Sequence, residues 1–193
     1  MKAEGVEKRK MRWTKTKTLI ENLFCENLKN KLSIYATSYN TNLGEQRRIW
    51  ITLDGQEVFN ASSASFLMEH DKLWEEVKKK TNKPFPDCLY ECYPEFIEKI
   101  SDMDYSMLIL EQRSIFNVNR VYDALVRYPN YSIEDALSSE NVMIHSLAVV
   151  DKRLGKRKLK HLTINPDTHS LILMFYQLRC EIEGVSVSDS LSH

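Results

Sequence analysis

Residues 31–59 read KLSIYATSYNTNLGEQRRIWITLDGQEVF and decide the fold. Leu32, Ile34 and Ala36 alternate with Ser33, Tyr35 and Thr37, and Ile49, Ile51 and Leu53 alternate with Trp50 and Thr52. A period of two places each apolar set on one face of a strand. The pattern predicts strands over 31–39 and 48–53, joined by a hairpin loop over 40–46 that contains Gly44. Asp54-Gly55 marks a tight turn, because both central positions of a type I′ turn need positive φ. A third short strand is expected over 56–59. In the antiparallel register that buries one face, Ile34, Ile49 and Ile51 turn to the core.

Before the strands, Leu19, Ile20, Leu23 and Phe24 predict a helix over 14–29 with these residues inward. After them, the serines at 62, 63 and 65 can cap a helix over 65–80 that buries Phe66, Leu73, Trp74 and Val77. Lys83-Pro84-Phe85-Pro86 breaks it and marks a lobe boundary. The remainder is mainly helical. Asn117 can cap a helix over 118–128, and Ser132-Ile133-Glu134-Asp135 is close to a capping box. Asn141 can cap a helix that ends near Gly155, and Asp167 or Thr168 a last helix reaching Glu183. The fold class is α+β: an N-terminal helix on a small antiparallel sheet, followed by a mainly helical C-terminal part. The expected boundaries are a tail over 1–11, an α+β part over 12–82, a helical part over 83–184 continuous with it, and a tail over 185–193.

Composition narrows the function classes. The 193 residues carry 27 Lys plus Arg against 27 Asp plus Glu, so no bulk field steers the chain toward nucleic acid or an anionic membrane. No apolar stretch reaches the roughly 18 residues that span a bilayer, and the charged start MKAEGVEKRKMRW leads into no apolar signal region. Four cysteines in this length form no disulfide framework, and a reducing cytoplasm is the expected compartment. Cys88 and Cys92 stand four apart, but no further Cys or His is spaced to complete a zinc quartet. Cys25 reads as a small buried apolar residue. There is no GxSxG, HExxH or GxGxxG. Trp13, Trp50 and Trp74 read as core or interface anchors. No cofactor, metal site or catalytic set is expected.

One stretch is specialised. In residues 139–162, Met143, Leu147, Val150 and Leu154 share a helical face, and six cations follow at 152, 153, 156, 157, 158 and 160. Gly155-Lys156 is not a Walker loop, since position 150 is Val and position 157 is Arg. Gly155 is expected to end the helix and turn the chain. Asp151 is expected to be structural, at the edge of the apolar face, and to need a partner distant in sequence. The cations read first as a solvated helix end, and alternatively as an anion-binding set of Arg153, Lys156, Arg157 and Lys160.

Two blocks carry a family likeness. Arg12-Trp13-Thr14-Lys15 with Leu23-Phe24-Cys25 resembles the opening of an uncharacterised bacterial family of about this length. Ser132-Ile133-Glu134-Asp135-Ala136-Leu137, followed by residues 147–157, LAVVDKRLGKR, resembles its C-terminal block. The resemblance implies one whole-chain unit and transfers no activity.

The expected function is non-enzymatic binding of a macromolecule, with protein as the partner and no membrane. The alternative is a nucleic-acid or phosphate binder that uses the 152–160 segment. A third reading is an enzyme whose site is assembled from scattered residues.

Overall fold

The computed structural model describes residues 13–42, 44–81, 107, 109–162, 165 and 167–185. Helix α1 (Trp13–Glu21) precedes three strands, β1 (Leu32–Thr41), β2 (Gly44–Leu53) and β3 (Gln56–Ser62). Helix α2 (Ser63–Thr81) follows. After it come α3 (Val118–Arg127), a 3-10 turn (Tyr128–Asn130), α4 (Ile133–Leu137), α5 (Val142–Val150), α6 (Lys156–Lys160) and α7 (Ser170–Glu183).

The sheet is antiparallel in the order β1-β2-β3. Ile34 opposes Ile51 and Ala36 opposes Ile49. Ile34, Ile49 and Ile51 are buried, as the alternation demands. The hairpin is longer and its loop shorter than expected, because the ladder runs out to Thr41↔Gly44. β3 also runs past Phe59 to Ser62, which buries Ala61 as well as Phe59. At the second turn Asp54 and Gly55 both have positive φ, +49° and +83°.

Side chains from both halves of the chain meet in one core. Ile20 and Phe24 pack with Ile34 and Ile51 of the sheet, Val121 and Leu125 of α3, Leu147 and Val150 of α5, and Phe175 and Tyr176 of α7. Burying each such large side chain contributes about 1.5–3 kcal/mol. The halves are also stitched by main chain. Cys25 N–H donates to Val150 O at 3.0 Å, and Lys152 N–H donates to Leu23 O at 2.7 Å.

That stitch corrects two helix lengths. The expected helix over 14–29 stops at Glu21, because Phe24 leaves the helical path to bridge Asp151. Leu19, within α1, is exposed rather than inward. The expected helix from Asn141 to Gly155 stops at Val150, where Asp151 turns extended (φ −73°, ψ 137°). Asn117, Ser132 and Asn141 cap their helices as their residue types suggest. The last helix is capped by neither Asp167 nor Thr168 but by His169, whose ring accepts from Leu171 N–H. Val185, expected to open a loose tail, is buried, and its N–H donates to Cys180 O to close α7. The proline break at 83–86, Cys88 and Cys92, both termini, and the side chains of Trp74 and Val77 lie outside the described residues.

Candidate binding site

Beyond Ala36 the β1–β2 hairpin projects past the core, and β1 becomes exposed. Under its core-facing side lies an open cleft of about 290 Å3, bounded by the hairpin, the start of α1 and the first half of α3. Trp13, Ala36, Ile49, Val118 and Tyr122 make its apolar wall, and Ser38, Glu45 and Arg47 are among its polar members. The Trp13 and Tyr122 rings stand 6.0 Å apart, tilted by 31°. Arg47 is held in place by Glu45 at 2.9 Å and by Asn119 Oδ1 at 3.2 Å. The Glu45 carboxylate raises the Arg47 pKa, so its charge is permanent.

Among the described residues β1 is an edge strand, and its outer edge borders this cleft. Ile34 N–H donates to Oε1 of Glu21 at 2.9 Å, so it points away from β2. The ladder from Leu32 to Thr41 has no irregularity. The main-chain groups of Ala36, Ser38 and Asn40 therefore also point outward, since successive residues alternate in direction. Among the described residues these three have no main-chain partner on that side.

The opposite face of the sheet carries a stack. The Tyr35 and Trp50 rings lie 5.3 Å apart at 14°. Lys17 sits over Tyr35 at 4.4 Å from the α1 side, and Arg48 over Trp50 at 4.9 Å. Arg48 is tied toward β3 by Asn60 and Glu57. The facing sides of the Tyr35 and Trp50 rings are thus taken by each other, and a cation lies over each ring.

The residues singled out in the 152–160 segment separate into two groups. Asp151 is fully buried and has both a distant partner, Tyr128, and a near one that the pattern did not suggest: Arg153, two residues on, donates through Nε and Nη2 to Oδ2 at 3.0 and 2.8 Å. Arg153 N–H donates to Oδ1 at 2.7 Å, and Tyr128 supplies the long-range bond at 2.5 Å. Because Asp151 leaves the helix, a neighbour at i+2 can fold back onto it. Burial first, and the Asp151 charge second, push the Tyr128 hydroxyl far above the tyrosine range, so it remains a donor. Nη1 of Arg153 donates to Tyr131 O at 2.8 Å. Arg153, with its side chain 30% exposed, is therefore tied to these partners, unlike the remaining candidates. Lys156, Arg157 and Lys160 are exposed on α6, while Leu159 alone of that helix is buried. Lys158 pairs with Glu134 at 2.6 Å and holds that carboxyl below its usual range. Gly155 does not end α5; it caps the start of α6 in ordinary extended backbone (φ −66°, ψ 151°).

Arg179, which the pattern along the chain did not single out, completes the turn. It is 3% exposed and donates to Asp151 O at 3.0 Å and Leu154 O at 3.1 Å. Its Nε lies 3.4 Å from Glu183. Arg153 and Arg179 thus spend their hydrogen bonds on the turn itself, on the Asp151 carboxylate and on the carbonyls of Tyr131, Asp151 and Leu154. Cys25 and Cys180 are buried free thiols whose pKa values burial raises, the opposite of an activated nucleophile. Among the described residues no group of three His, Cys, Asp or Glu could hold a metal, and no helix is long and apolar enough to cross a membrane.

No curated protein and no solved structure matches the chain. The model of the SF0329 protein family matches residues 12–180, a span that takes in Trp13 of the cleft, the whole hairpin and the Asp151 turn, and the chain belongs to that family.

Proposed function

We propose that this chain is a non-enzymatic binding protein whose partner is another protein, engaged at the cleft beneath the β1–β2 hairpin. The observation that supports it most is the cleft itself, where the half-buried Trp13, Ala36 and Tyr122 meet the core residues Ile49 and Val118 in one apolar wall. At about 290 Å3 it lies at the lower limit for small-molecule pockets and suits a partner's side chain. The test is selection of peptides on the intact protein from a phage-displayed library of random dodecapeptides. Selected peptides are expected to lose roughly tenfold or more in affinity to Ala36→Leu, which fills the cleft, and to Tyr122→Ala, which opens it. Peptides that bind both variants as tightly as the parent protein would overturn the proposal.

A second reading, phosphate or nucleic-acid binding, rests on Lys156, Arg157 and Lys160, three cations that α6 leaves exposed. Filter binding at low salt tests it: no retention of the unmutated protein ends it, and a salt slope that flattens when all three become Ala sustains it.

A further inference from the structure

We propose, building on the cleft reading above, that the partner binds as a short extended segment that adds a fourth strand to the free edge of β1, bonding to the main chain of Ala36, Ser38 and Asn40 and placing one large apolar side chain in the cleft.

The edge is built to accept a strand. Its first outward N–H, that of Ile34, is already answered by the Glu21 carboxylate, which stands where a neighbouring strand's carbonyl would. α1 thereby closes the edge at Ile34, and among the described residues nothing pairs with the outward main chain of residues 36–40. Sheets ordinarily blunt an open edge with a charge, a proline or a bulge. β1 reads LSIYATSYNT, with no charged residue and no proline, and its pairing with β2 is regular. Ser38 and Asn40 are exposed and Ala36 is half-buried, so the groups that would bond are reachable.

The cleft supplies the specificity that main-chain bonds lack. Cross-strand neighbours lie on the same face of a sheet. Ala36 and Ser38 face the core side together with Ile49, and they line the cleft. A residue of the added strand opposite Ala36 or Ser38 on that face therefore enters it. Residues to either side of it on the added strand face Tyr35, Thr37 and Tyr39 on the other surface. This is strand addition with one pocket for an alternate side chain.

The same geometry argues against a second copy of this chain as the occupant. In antiparallel β1–β1 pairing, β1 would offer the cleft only Ala36, Ser38 and Asn40 on the core-facing side, since Ile34 is itself buried. None is a large apolar side chain, and the wall they would meet is Trp13, Ile49, Val118 and Tyr122. A segment of another protein with a Leu, Met, Phe or Trp at that position fits.

The experiment uses a synthetic copy of a cleft-dependent peptide from the library selection. Scanning it with N-methyl amino acids should give a period of two: methylation at alternate positions weakens binding roughly tenfold or more, and methylation between them has little effect. Hydrogen exchange at Ala36, Ser38 and Asn40 should slow when the peptide is added. Ser38→Pro should weaken binding to a similar degree. The Ser38 N–H points away from β2, so proline there removes no ladder bond. Should Ser38→Pro fail to fold, the N-methyl scan and the exchange rates still decide. A peptide that is lost in Ala36→Leu yet shows no alternation and no slowed exchange overturns strand addition while leaving the protein-binding reading in place. Absence of any cleft-dependent peptide overturns both.

Discussion

Tyr128 donates its hydroxyl hydrogen to the Asp151 carboxylate at 2.5 Å, between two residues that are 1% and 0% exposed. A carboxylate this deep is tolerable only when its oxygens are answered. Here Tyr128, the Arg153 guanidinium and the Arg153 N–H answer both. Tyr128→Phe removes one donor and should lower stability by about 1–2 kcal/mol. Asp151→Ala strands the Tyr128 hydroxyl and the Arg153 charge together, and should cost about 3 kcal/mol or more. Urea titration checks both, with the midpoint falling at constant slope. A Tyr128→Phe midpoint equal to that of the parent protein would mean that the bond adds nothing.

The basic segment divides the same way. Arg153→Ala should destabilise by about 2–4 kcal/mol, because it leaves Asp151 buried with its cation gone. Replacing Lys156, Arg157 and Lys160 together by Ala should change stability by less than about 0.5 kcal/mol per site, since all three side chains are exposed. Thermal melts of the single and triple variants separate the two groups. Equal losses would show that Arg153 is as peripheral as the other three.

The strands and three helix caps are legible in the sequence because the signals for them are local. Alternation over 32–36 and 49–53, Asp54-Gly55, and the Asn117, Ser132 and Asn141 side chains each act within a few residues. The ends of α1 and α5 are not local. Each helix could continue by propensity, and each stops because Phe24 and Asp151 bridge across more than a hundred residues while Arg179 of α7 takes the carbonyls of the turn. The cap at His169 also escapes residue-type rules, since imidazole is not among the usual N-cap groups. The cleft is drawn from α1, β1, β2 and α3, so no single stretch of sequence announces it. Asp151 illustrates the limit. Its need for a partner is readable from its apolar neighbours, but the identity of that partner depends on where the helix ends.

Stability should fall on acidification through the histidine range. Burial lowers the pKa of His145, on α5, below the ordinary value of about 6.5. A base depressed in this way is neutral in both states at higher pH. As pH drops through the unfolded value, the unfolded chain takes up a proton that the folded chain resists, and stability is lost. His70, also lowered by burial, acts in the same direction. Glu111, raised by burial, acts in the opposite one, since its contribution is lost as pH rises through its elevated pKa. His145→Gln should flatten the dependence of the urea midpoint on pH between about 7 and about 5. An unchanged slope would show that the imidazole is solvated in the folded state.

Two glycines should respond oppositely to a side chain. Gly55 has φ +83° and follows Asp54 at +49°, the pair of left-handed residues that closes the β2–β3 turn. A Cβ there would meet nothing within 4 Å, so the cost of Gly55→Ala is backbone strain alone, about 1–2 kcal/mol. Gly155 also has open space around a Cβ, but its φ of −66° is available to any residue, and it occupies the N-cap of α6 with no side chain to accept from the helix. Gly155→Ser supplies that acceptor and should leave stability unchanged or raise it by about 0.3 kcal/mol. Thermal melts of the two variants check this contrast directly. A loss in Gly155→Ser as large as that in Gly55→Ala would show that position 155 needs glycine for a reason that its backbone does not supply.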